Sequence, residues 1–149
     1  MGRTIADPLV LADLVGRLAR LTPARERVWG SISAHQMVSH LGDASEAALG
    51  RRPFSPAIRP PSRLLKFVAL SLPMRWPRGI KSGADPAAKV LAVVEFPGDL
   101  DRAVRTLQEL AAAETGVADR HPIFGAMSLA DWHRWAFLHT DHHLRQFGL

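Results

Sequence analysis

Four stretches of this chain repeat apolar residues every three or four positions, and each opens on a helix-start signal. The first begins at Asp7-Pro8, an N-cap followed by proline at the first helical position, and carries Leu11, Leu14, Val15 and Leu18, with Pro23 beyond its end. The second begins at Ser33 with Gln36 three residues on, a capping-box pattern. It carries Met37, Leu41, Ala44 and Ala48 and meets Gly50 at its end. The third begins at Asp99, carries Leu100, Val104, Leu107 and Ala111, and stops near Gly116. The fourth begins at Ser128, with Asp131 three positions on, and runs to about Gln146 before Gly148. Amphipathic helices of this kind bury their stripes against one another. The expected fold is therefore all-α, a four-helix bundle forming a single domain over residues 1–149.

The long crossover of that bundle is residues 51–98, which include Pro53, Pro56, Pro60, Pro61, Pro73, Pro77, Pro86 and Pro97. A structureless connection of that length is unusual inside a domain. Residues 63–72 (RLLKFVALSL) therefore read as a short helix and residues 89–96 (KVLAVVEF) as a short extended piece. The formal net charge of +5 is concentrated in the same connection. Arg51, Arg52, Arg59, Arg63, Lys66, Arg75, Arg78 and Lys81 lie between Glu46 and Asp85 with no acidic residue among them. The segment reads either as a solvated linker or as a site for a substrate phosphate or carboxylate. It lacks aromatics interleaved at regular spacing and any known docking motif, which argues against nucleic acid as a partner. The chain has no cysteine, which removes disulfides, thiolate ligands and a cysteine nucleophile together. No secretory signal and no run of about 18–20 apolar residues is visible, so a cytoplasmic protein without a membrane span is expected.

The chain has seven histidines. His139 and His143 are four apart on the last helix, so their side chains lie about 40° apart around the axis, one turn above the other. Trp132, Trp135, Ala136 and Gln146 share that arc, which is the face expected to point inward. His40 lies at the edge of the second helix's apolar stripe and leans the same way. Three neutral imidazoles suit a divalent transition metal such as zinc, nickel or iron, and leave a position for water or substrate. Against this stands the weakness of a lone His-x-x-x-His, more often surface or capping residues than ligands. His142 sits at the flank of the arc, where an exposed or supporting role is expected rather than a fourth contact; His35 points away from the face of His40 to the surface, and His133 is on the opposite side of its helix. His121 lies in a loop before Pro122, where it either covers the site or is solvated. Gln146 is placed to fix the tautomer of a ligand imidazole or simply to pack. Asp43, one turn from His40, is the candidate catalytic carboxylate, with a solvated surface role as its alternative. Asp141 lies opposite the ligands.

These residues resemble a known pattern. Residues 29–46 (WGSISAHQMVSHLGDASE) are similar to the second helix of the DinB/YfiT-like superfamily, with its His-Leu-x-Asp motif at His40-Leu41-Gly42-Asp43. The ending HTDHHLRQFG resembles that superfamily's closing His-x-x-x-His-x-x-Gln pattern, at His139, His143 and Gln146. Residues 121–148 closely resemble a DinB-like subfamily without an assigned function. The resemblance implies a four-helix bundle with one metal on three histidines. It also implies a metal-dependent enzyme acting on a small molecule, in some relatives a thiol-dependent S-transferase using a low-molecular-weight thiol, in others a hydrolase. The residues leave open a different class, a metal-stabilised interaction module without turnover. Phe137 and Leu144 bear on it, since exposure of both would mark a homodimer or partner face, with cover by the long connection as the alternative.

Overall fold

The computed structural model describes residues 2–79 and 85–149; Lys81 of the basic connection lies outside them. The described chain is 53% helix and 3% strand. Its α-helices are α1 (Pro8–Leu18), α2 (Ala34–Ala48), α3 (Arg63–Ser71), α4 (Phe96–Ala112) and α5 (Leu129–Gln146). The start signals of α1, α2 and α5 are used as their chemistry dictates. The Asp7 carboxylate accepts from the Leu9 N–H, and Ser33–Gln36 and Ser128–Asp131 form reciprocal capping boxes. The Ser62 hydroxyl caps α3 by accepting from the Leu65 N–H.

The helices pack through the expected stripes. α2 lies along α4, and α5 meets α1, α2, α3 and α4. Leu14, Leu18, Met37, Val38, Leu107, Leu110, Trp132 and Leu144 are at most 2% exposed and fill the space between α1, α2, α4 and α5. Burying one such side chain is worth about 1.5–3 kcal/mol, so this cluster is the main source of stability.

Three details differ from the sequence reading. Residues 89–96 form no strand; Val93–Glu95 make a 3-10 turn that leads into α4. An extended piece would need a partner to satisfy its backbone, whereas here the Glu95 carboxylate accepts the Ala92 N–H at 3.1 Å and Val90, Val93 and Val94 face solvent. α4 begins at Phe96, ahead of Asp99, because Pro97 fits a first helical turn and Phe96 is buried. A two-residue hairpin, β1 (Arg120–His121) with β2 (Gly125–Ala126), precedes α5. Its strands are too short to carry a periodic signal.

Phe137 and Leu144 are buried, so no apolar patch stands on that face of α5. The N-terminal segment covers Phe137: the Arg3 guanidinium lies 5.0 Å from its ring centre, and the Ile5 N–H donates to the His133 carbonyl. The basic connection is partly neutralised by the helices. Arg51 pairs with Glu109, Arg52 with Asp43 and Glu46, and Lys66 with Asp131. Among the described residues no helix is long and apolar enough to cross a membrane.

Candidate metal centre

α2 brings His40 to the face of α5 that carries His139 and His143, and one ring nitrogen of each lies within 4.8 Å of the others. The Nε2 atoms of His40 and His139 are 3.0 Å apart. The three rings meet edge to face, with centres 4.7–5.0 Å apart. Trp135 stacks on His139 at 4.7 Å and 11°, which fixes that ring's plane. The rings are partly buried and keep some access to solvent, unlike Trp132 behind them.

Gln146 sets the tautomer of His143. Its Oε1 lies 2.6 Å from Nδ1 of His143. A carbonyl oxygen only accepts, so Nδ1 carries the proton and Nε2 keeps its lone pair. The packing behind Gln146 explains Gly30. A Cβ on Gly30 would stand 2.8 Å from the Gln146 amide nitrogen, and the backbone there has φ +87°. The positive φ favours glycine, and a side chain there would also displace the Gln146 amide.

Burial pushes the His40 pKa down to about 4; the nearby Asp43 carboxylate opposes this and Lys89 adds to it. Burial, followed by mutual repulsion with the other rings, holds His139 and His143 well below the ordinary histidine value; for His143 the Gln146 hydrogen bond opposes this. All three are neutral at pH 7, the form in which imidazole binds a transition metal. Two nitrogens about 2.1 Å from one tetrahedral ion stand about 3.4 Å apart, the scale of the His40–His139 approach. The donor set therefore fits such an ion.

Asp43 is held elsewhere. Arg102 donates to its Oδ1 at 2.8 Å, Lys89 to its Oδ2 at 3.1 Å, and Arg52 also donates to it. Burial pushes its pKa up, but these hydrogen bonds and charges outweigh that and hold it below the ordinary value. Arg102 also bridges Glu46, Asp99 and the Ser39 backbone, packed against Gly42, where a Cβ would come within 2.9 Å of the guanidinium carbon. This ion-pair network joins α2 to α4, and helical spacing within either element gave no sign of it.

The remaining histidines are not at the surface. His35 is buried, against the sequence reading, with Nε2 2.9 Å from Asp99 and its ring edge-on to Phe96. His133 is buried with Nε2 3.0 Å from the Leu110 carbonyl. His142 lies between Trp29 and His143, with a buried Nδ1 that has no partner among the described residues. His121 is buried beside Phe54, Phe124 and Trp135. Asp141 binds Arg17 and Arg145, away from the centre.

Fold and site together define a predominantly helical protein with a three-histidine cluster between two helices. The chain belongs to the family described as "Protein of unknown function (DUF1569)", whose model matches residues 11–148. No curated protein and no solved structure matches it.

Proposed function

We propose that this chain is a DinB-like metal-dependent enzyme acting on a small molecule. In this reading α1, α2, α4 and α5 form the four-helix bundle, and His40, His139 and His143 hold one divalent ion such as zinc, nickel or iron. The observation that carries the reading is the convergence of three neutral imidazoles, one of them held in a fixed tautomer by Gln146. Such an ion would supply an open position that lowers the pKa of a bound water or thiol toward neutrality.

Thiol-dependent S-transfer is favoured over hydrolysis by the state of Asp43. Activating water calls for a general base, and the candidate for that role, Asp43, is tied to three cations. A thiol, with a free pKa of about 8.5, needs far less help to ionise. The chain has no cysteine, so the thiol would be a cosubstrate. Trp135 orients His139 and Gln146 orients His143, while Asp43 contributes a fixed negative charge near His40.

Elemental analysis of freshly purified protein is expected to give about one equivalent of metal, lost in His143→Ala with helicity retained. Full metal content in that variant would remove His143 from the centre. Mixing metal-loaded protein, a low-molecular-weight thiol and an epoxide or alkyl halide should accelerate thiol loss. Metal retention without acceleration across thiols and electrophiles would favour an interaction module.

A further inference from the structure

A second polar cluster lies next to the centre. A cavity of about 380 Å³ opens between the end of α2, the start of the connection and the β1–β2 hairpin, lined by Arg52, Phe54, Pro61, Ala118, Arg120 and His121 among others. Among the described residues its polar side chains all offer donors. Arg120 is exposed, and its guanidinium makes no hydrogen bond or ion pair with another described residue. Arg52 gives one nitrogen, Nη1, to Asp43 and Glu46 and keeps its other donors. His121 accepts the Ile123 N–H on Nδ1 at 3.1 Å. Its neutral ring therefore carries its proton on Nε2 and is a donor too. Burial lowers the His121 pKa to about 4, which keeps the ring neutral at pH 7.

The rest of the lining is apolar, and it is continuous with the centre. Phe54 stacks on Trp132 at 5.6 Å and 7° and lies edge-on to Trp135, and Trp135 in turn stacks on His139. His121 is 5.4 Å from Trp135 and close enough to His139 to influence its ionisation. One aromatic side chain, Trp135, thus touches both the cavity wall and a proposed ligand.

We propose that this cavity binds a small organic anion, a carboxylate or phosphate monoester with an apolar body, through Arg120, Arg52 and the His121 Nε2–H, with the body against Phe54. Donors with no acceptor among the side chains suit an anion, and guanidinium groups match the planar or trigonal oxygens of these two classes. That this anion is the substrate or cosubstrate of the centre rests on the metal reading above; the binding itself does not.

Phenyl phosphate, benzoate and the uncharged benzyl alcohol serve as probes, titrated into the full chain by calorimetry and tryptophan fluorescence, with metal content measured on the same sample. At least one anion is expected to bind, and benzyl alcohol at least about tenfold more weakly, the value of a charge-assisted hydrogen bond. Arg120→Gln, at an exposed position that leaves the core untouched, should weaken the anion about ten- to hundredfold with metal content unchanged. Preference for one anion narrows the class. No binding by either anion, equal binding of benzyl alcohol, or wild-type affinity in Arg120→Gln overturns the proposal. Anion binding by protein that carries no metal supports the cavity and refutes the centre; metal without anion binding does the reverse.

Discussion

The hydrogen bond from His143 to Gln146 gives the sharpest test of the centre, because removing it leaves all three imidazoles in place. In Gln146→Leu the side chain keeps a similar volume at a buried position but loses the oxygen 2.6 Å from Nδ1. Two consequences follow. His143 is no longer restricted to the tautomer with a free Nε2, and its Nδ1–H loses its acceptor. Outer partners of metal-bound histidines typically contribute about 10- to 100-fold in affinity, which is about 1.4–2.7 kcal/mol. The orphaned donor costs about 1–3 kcal/mol of folding stability if it finds no water. The assay is a chelator competition titration with zinc, beside urea unfolding of the metal-free protein. Gly30→Ala attacks the same bond from behind by pressing on the Gln146 amide from 2.8 Å, and should shift affinity in the same direction. Zinc affinity within about twofold of wild type in Gln146→Leu would refute the tautomer argument.

Other expectations follow from the same structure. In metal-free protein the His40 pKa of about 4, against 6.5 for an unperturbed histidine, means that the unfolded chain takes up its proton first as pH falls. Stability is therefore full above pH 6.5 and lost toward pH 4, by about 3 kcal/mol from this residue. His139 and His143 act with the same sign, and an unfolding midpoint in urea that is equal at pH 7 and pH 4.5 would contradict it. Ser128→Ala removes the capping box of the helix that carries two proposed ligands. It should cost about 1 kcal/mol, seen as a fall of about 2–4 °C in Tm. The pairing of Arg51, Arg52 and Lys66 with Glu109, Asp43 and Asp131 leaves the basic connection weakly suited to a phosphate backbone. No duplex binding is expected, and retention on DNA that weakens steeply with salt would show otherwise.

Helix existence was legible because it depends on neighbours in sequence. Asp7, Ser33 and Ser128 cap helices by reaching backbone groups two or three residues on, and spacing alone reports such contacts. The same local geometry put His139 and His143 on one arc of α5 and Gln146 within reach of His143. Where a residue's partner is distant in sequence, periodicity is silent. His35 and His133 read as outward-facing, yet Asp99 and the Leu110 carbonyl satisfy their rings in buried positions. Asp43 read as a free carboxylate and is bound by Arg52, Lys89 and Arg102. Residues 89–96 read as extended because strand-forming residues cluster there, although a strand also needs a neighbouring strand.

The sequence by itself determined the helices, their inward faces and the spacing of two histidines, since each depends on interactions within a turn or two of backbone. Tertiary structure alone decided that His40 meets that pair, that Phe54 and His121 close around Trp135, and which charges neutralise Asp43. Most of those contacts join residues tens of positions apart. They exist because burying the stripes of α1, α2, α4 and α5 leaves few ways to bring the helices together.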